Sequence, residues 1–342
     1  MALAACESAT SPDASRALDP NLALSDYAAM DKILATDALA GFRALGGRTG
    51  LRTSSVLGVG ARVAGVRDGA SSRDLTLQLA RELSGGTALK EIISTRHRGM
   101  TLVYNAATDT YAVSPTRAGA PANGVRFITY EIDAAGKPIL SKETGYADLL
   151  DEGATTGETI VLRLQVVNTG ATVLDYRTRL TISGETGSIS VDGFMSDGAA
   201  RLDFNVAVTS RKSGLKTLLD ADFDLQVKGR EFSILGKVRG IDEATGDGTV
   251  ALTVRHAASS VAVKMLGSNG TVDGTFEVNG KLLATATGNA KSPTITGPTG
   301  GQLTGGELLM LMHIVDMTDS VMDLVEDLVK PVDNLVVLGW LL

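Results

Sequence analysis

Arg201-Leu202-Asp203-Phe204-Asn205-Val206-Ala207-Val208 alternates polar and apolar side chains along most of its length. A period of two is the repeat of a β-strand with one face buried and the other in water. The pattern recurs on both sides of this stretch. Upstream, Ile160, Leu162, Leu164 and Val166 share one face while Arg163 and Gln165 fall on the other. Downstream, Phe223, Leu225 and Val227 oppose Asp222, Asp224, Gln226 and Lys228, followed by Val250, Leu252 and Val254, by Val261, Val263 and Met265, and by Phe276 and Val278. Asp197-Gly198, Asp247-Gly248 and Asn279-Gly280 supply turn signals between them. One-sided strands belong to antiparallel meanders, because strands of a parallel α/β sheet are covered on both faces and read as continuous apolar runs. The expected fold is therefore mainly β: a large antiparallel sheet, built as an open curved sheet, a barrel or a sandwich.

Moving outward, residues 100–104 and 110–114 read as a hairpin, and 125–133 as a strand after the Asn123-Gly124 turn signal. Before these the period lengthens. Tyr27, Met30, Ile33, Leu34, Ala38, Phe42 and Leu45 recur at helical spacing, with Ser25 or Asp26 as N-cap and Gly46-Gly47 as the stop. A second short helix is expected over 72–83 on the Leu75, Leu79, Leu83 stripe. Residues 307–330 form the strongest amphipathic pattern, with Leu311, Ile314, Val315, Val321, Met322, Val325, Leu328 and Val329 against Asp316, Asp319, Asp323, Glu326 and Asp327. This C-terminal helix is expected to pack on the sheet. The tail 335–342 is nearly all apolar, too short to span a bilayer, and is either buried or a docking segment for a protein partner. The expected organisation is a tether over 1–20, a helical segment over 21–97, the β domain over 98–290, a Gly/Thr/Pro-rich linker over 291–304, and the helix with its tail over 305–342.

Hydrophobic content of 44% and charged content of 21% are those of a globular chain. A net charge of −7 gives no electrostatic reason to expect nucleic acid or attraction to an anionic bilayer. Aromatic content of 4% disfavours an outer-membrane barrel, which needs two aromatic girdles.

Cys6 is the single cysteine, in Leu3-Ala4-Ala5-Cys6 followed by Glu7-Ser8-Ala9-Thr10-Ser11-Pro12. Leu-Ala-Ala-Cys resembles the lipobox of bacterial lipoproteins. The resemblance covers about ten residues and no family is suggested for the folded body. It implies cleavage before Cys6, acylation of its thiol and amine, and a membrane anchor in the cell envelope, periplasmic or outer-surface, since several acyl chains together hold where one is marginal. Residues 1–5 are too few for the charged and apolar regions of a signal peptide, so this reading expects a start further upstream. The alternative is a chance match in a cytoplasmic protein.

A search for chemistry returns no catalytic constellation. His97, His256 and His313 are scattered, and no paired-histidine or Cys-x-x-Cys spacing marks a metal site. His97, between Arg96 and Arg98, is expected at the solvated surface, and His256 at a strand end. Gly58-Val59-Gly60-Ala61-Arg62-Val63 begins like a dinucleotide fingerprint but lacks the third small residue and a βαβ context. Asp220, Asp222 and Asp224 with Glu231 imitate a calcium loop, yet Leu225 stands where the tight turn demands glycine, and strand alternation explains the acids. No cofactor or metal is expected. The expected function is a non-catalytic, lipid-anchored binding or carrier protein for an apolar ligand. A structural or protein-interaction lipoprotein of the envelope is the alternative, and an enzyme without a readable motif the least supported.

Overall fold

The computed structural model describes residues 95–153, 159–242, 245–257, 259–289, 292–298 and 300–308, with nine further positions, among them Met30, Ile33, Ile93 and Leu311. The described strands are β1 (Met100–Asn105), β2 (Thr110–Val113), β3 (Gly124–Ile132), β4 (Pro138–Gly153), β5 (Thr159–Asn168), β6 (Ala171–Ser183), β7 (Thr186–Ser196) and β8 (Arg201–Ser213). They continue as β9 (Lys216–Lys228), β10 (Phe232–Asp242), β11 (Gly248–His256), β12 (Ser259–Ser268), β13 (Thr271–Val278), β14 (Lys281–Asn289) and β15 (Thr294–Thr296). All belong to one 15-stranded sheet in which β3 to β15 follow in chain order. The sheet is open, with β2 and β15 at its edges. Both edges are short, four and three residues, which limits the exposed hydrogen-bonding row that could recruit another chain.

The expected alternation sets the pairing. Two-residue turns at Asn269-Gly270 and Asn279-Gly280 put both residues at positive φ, 50° and 74° in the first, 49° and 75° in the second. That geometry matches the twist of the flanking strands and is open to Asn-Gly at little strain. The expectation of a wholly antiparallel sheet needs correction. β1 pairs with β3 in parallel, Leu102 opposite Phe127, while β2 folds back antiparallel on the outer side of β1. The β1–β2 hairpin was legible, but the chain then crosses to the inner side of β1, and the connection over 114–123 carries no alternation to announce it.

β15 falls within the stretch expected to be a linker. The helical segments expected over 21–45, 72–83 and 307–330 lie outside the described residues apart from isolated positions. At 305–308 a helical turn begins. Glu307 N–H reaches Thr304 Oγ1 at 3.3 Å and Thr304 N–H reaches Glu307 Oε2 at 2.8 Å, a reciprocal capping box. Met30, Ile33, Ile93 and Leu311 are buried in the same hydrophobic cluster as the sheet.

Candidate functional site

The apolar residues of successive strands stand in register and form rows across one face. One row runs Leu149, Leu164, Tyr176, Gly193, Phe204, Leu225, Ile234, Val254, Val261, Val278, from β4 to β13. The next runs Asp151, Leu162, Thr178, Val191, Val206, Phe223, Gly236, Leu252, Val263, Phe276, Ala284, from β4 to β14. Most members are buried, Leu225 and Ile234 almost completely. Each such aliphatic side chain contributes about 1.5–3 kcal/mol when removed from water.

Glycines within the rows make room for large neighbours. A Cβ on Gly236 would lie 1.8 Å from Phe223 Cζ, so the ring rests directly over the glycine. Met265 Sδ occupies the same relation to Gly274, at 2.1 Å from its would-be Cβ. Tyr176 and Phe204, the register partners flanking Gly193, bring their rings to 6.1 Å in a tilted pair. With 4% aromatics in the chain, these rings cover area that small aliphatics would leave open.

Polar groups interrupt the face at β4 and β6. Asp151 is buried, and its Oδ2 accepts from Arg98 Nη2 at 3.0 Å while Oδ1 accepts Gly153 N–H at 2.9 Å. Arg98 Nε also donates to Ile93 O at 3.1 Å, and Asn123 Nδ2 to Asp151 O at 2.9 Å. The carboxylate thus ties Arg98, and through it Ile93, to the sheet. Thr178, 6% exposed, holds an Oγ1 with no hydrogen-bond partner.

The opposite face is wet and laced with ion pairs. Arg126 donates to both oxygens of Asp148 at 2.7 Å, with its guanidinium 3.6 Å from the Tyr146 ring centroid. Arg163 grips Asp175 in the same bidentate way, at 2.8 and 2.6 Å. In both pairs the hydrogen bond to the carboxylate pushes the arginine pKa upward, so the charge is permanent. Arg179 pairs with Asp192, and Arg239 with Asp222. These pairs knit neighbouring strands.

Among the residues expected to carry chemistry, Cys6, His313 and the Gly58–Val63 motif lie outside the described residues. His97 is buried, contrary to its expected surface position. The turn that carries it is held against the sheet, with Met100 N–H on the His97 carbonyl at 3.1 Å and Gly99 N–H on the Gly124 carbonyl at 2.8 Å. His256 ends β11 opposite Phe232, half-buried. The three aspartates of the calcium-like frame share the wet face of β9: Asp220 accepts Gly240 N–H at 2.6 Å and pairs with Arg211, and Asp222 pairs with Arg239, while Leu225 is buried on the other side. Among the described residues no group of three or more His, Cys, Asp or Glu is placed to hold a metal. No helix among them is long and apolar enough to cross a membrane.

Sequence reading missed Asp151 and Thr178. A signal existed for each: Asp151 continues the register of Ala147 and Leu149, and Thr178 that of Tyr176 and Leu180. The chain matches no family model, no curated protein and no solved structure.

Proposed function

We propose that the protein is a lipid-anchored, exported binding or carrier protein, held at the cell envelope through Cys6 and taking an apolar ligand against the apolar face of its sheet. The observation that supports the reading is the pair of registered rows spanning β4 to β14, a mostly buried apolar face far wider than one hairpin needs for its own stability, which an apolar ligand would enter as part of the protein's interior. Leucine, isoleucine and valine side chains make up most of the two rows, with Tyr176, Phe204, Phe223 and Phe276 among them, and such a mainly aliphatic lining suits an apolar ligand.

Saturable uptake of a fluorescent fatty-acid or lipid probe by delipidated protein is the expected result. Val206→Trp, buried in the middle of one row, should weaken that uptake more than its overpacking weakens folding; no saturable uptake by the unsubstituted protein sinks the carrier reading. The anchor has its own test. Cells fed a clickable fatty acid should label the protein expressed from its own genomic locus, and Cys6→Ser should abolish the label. Label persisting in that variant would refute Cys6 as the attachment point.

A structural or protein-interaction role in the envelope is the second reading. Leu215, fully exposed at the tip of the β8–β9 hairpin, favours it, because an apolar side chain presented alone in water at a tip is placed for contact with another surface.

A further inference from the structure

The net charge of −7 is not spread evenly over the sheet. Because neighbouring strands from β3 to β15 run in opposite directions, their turns gather at two opposite ends. From β7 onward, one end carries the turns that follow β7, β9, β11 and β13. Around them stand Arg201, Lys228, Arg230, Arg255 and Lys281, all exposed. Most acids at this end are already engaged. Asp203 lies between two cations, 2.5 Å from Arg201 Nε and 3.7 Å from Lys228 Nζ. Asp197 accepts the N–H groups of Ala199 and Ala200, and Lys32 Nζ approaches it to 3.8 Å. Glu277 is paired at 3.3 Å with Lys264 from the middle of β12. Glu231 adds an acid without reversing the sign. Arg255 forms no ion pair with a described acid, so its charge faces water uncompensated.

The end that carries the turns after β6, β8, β10 and β12 has the opposite balance. Its cations are each matched: Arg211 by Asp220 at 3.3 Å, Lys212 by Glu185 at 3.4 Å and Lys216 by Asp242 at 2.8 Å. Asp247 and Asp273 add negative charge outside these pairs.

At the ordinary strand spacing of about 4.8 Å, the cations from β8 to β14 span roughly 30 Å, far more than one small anion needs. Such a row suits an extended anionic surface, to which each Lys or Arg adds attraction within about a Debye length. Two observations favour lipid headgroups over another polyanion. Leu282, 40% exposed, follows Lys281, and a leucine beside a lysine can enter the boundary between headgroups and acyl chains while the ammonium stays in water. Lys32, from the N-terminal part of the chain that carries Cys6, meets the sheet at this same end, on Asp197.

We propose that the end bearing Arg201, Lys228, Arg230, Arg255 and Lys281 docks on the phosphate headgroups of an anionic lipid surface, with the acidic end turned away. The choice of partner rests on the membrane-anchored reading, to which it adds an orientation. The sheet stands on the bilayer by the ends of its strands, and repulsion of the acidic end keeps it upright.

The test uses full-length Cys6→Ser, which bears no acyl chain, so that only the protein surface meets the vesicle. Sedimentation with vesicles of phosphatidylcholine alone, and of phosphatidylcholine with phosphatidylglycerol, should show about tenfold or tighter binding to the anionic vesicles, weakening as salt is raised. Adding Arg255→Glu and Lys281→Glu should reduce that binding about tenfold or more. Lys212→Glu with Lys237→Glu makes the same change of net charge away from this end, at the opposite turns and in the middle of β10, and should reduce it by less than about threefold. Thermal melting shows which variants are folded, and Arg255→Gln with Lys281→Gln takes the place of the reversals if those unfold. Equal losses from the two double variants, or equal binding to both kinds of vesicle, overturn the assignment. So does displacement from the anionic vesicles by soluble polyphosphate of matched charge, which would give this end to another polyanion. None of these outcomes depends on acylation of Cys6 or on uptake of an apolar probe, which are read separately.

Discussion

Gly236 shows how a single residue governs the apolar face. Its missing side chain is the space in which the Phe223 ring lies, with ring carbons 1.8–2.2 Å from where a Cβ would be. Substituting valine forces Phe223 off its rotamer or pushes β9 and β10 apart. Gly236→Val should therefore lower stability by about 1–3 kcal/mol or somewhat more, as overpacking does. Because the two residues share one space, their effects should not add: adding Phe223→Ala to Gly236→Val should recover part of the loss, measurable as a coupling in a urea-denaturation cycle. Strict additivity would contradict the packing. Leu225 and Ile234 neighbour this pair in the next row and are buried, so a displaced ring has nowhere to go without disturbing them. No polarity pattern in the sequence points to Gly236, since glycine is neutral to alternation. Its role becomes visible only when Phe223 is seen lying across it.

At the scale of an element, the β7–β8 hairpin illustrates how a turn is fixed chemically. Asp197 accepts N–H groups from Ala199 at 2.8 Å and Ala200 at 2.7 Å, and Ser196 Oγ accepts Gly198 N–H at 3.0 Å while donating to Ala200 O at 2.7 Å. The hydrogen bonds from Ala200 and then Ala199 lower the pKa of Asp197 below its ordinary value, with a smaller contribution from Lys32, 3.8 Å away. A carboxyl whose folded pKa lies below its unfolded pKa binds fewer protons in the folded state. Its stabilisation is fully present above the unfolded value, near 3.8, and is lost as pH falls through the folded value. Asp197→Asn should therefore flatten the fall of stability with acidification below about pH 4, relative to wild type, and change little of its slope at neutral pH. Denaturant titrations at several pH values check this, and parallel acid profiles for the two proteins would contradict it. The Asp197-Gly198 pair was legible in the sequence as a turn, but the two N–H groups gathered by Asp197 were not, because they depend on the turn's closed geometry.

On the scale of the molecule, the sheet is a chain of hairpins in which each strand hydrogen-bonds only its neighbours, yet one hydrophobic cluster runs from Leu102 in β1 to Ala286 in β14. Backbone pairing makes the sheet, and the shared apolar face makes it one body. What the sequence by itself determined is the part governed by a period of two: strands with one wet and one dry face, hence a mainly β chain, with β8 and β9 placed by Leu202, Phe204 and Val206 and by Phe223, Leu225 and Val227. Alternation is a local property of the covalent chain, so it survives in the sequence. Closure or openness is not local, since identical alternation would serve a barrel, a sandwich or an open sheet. Only the tertiary structure decided that β2 and β15 remain as edges and that β1 lies parallel to β3. The same holds for the site. Arg98 and Asp151 stand 53 positions apart in the chain, and pairwise attraction across such a separation leaves no periodic trace. The unsatisfied hydroxyl of Thr178 likewise depends on what surrounds it in space, because whether a threonine is paired, solvated or left bare is decided by packing and not by the residue type.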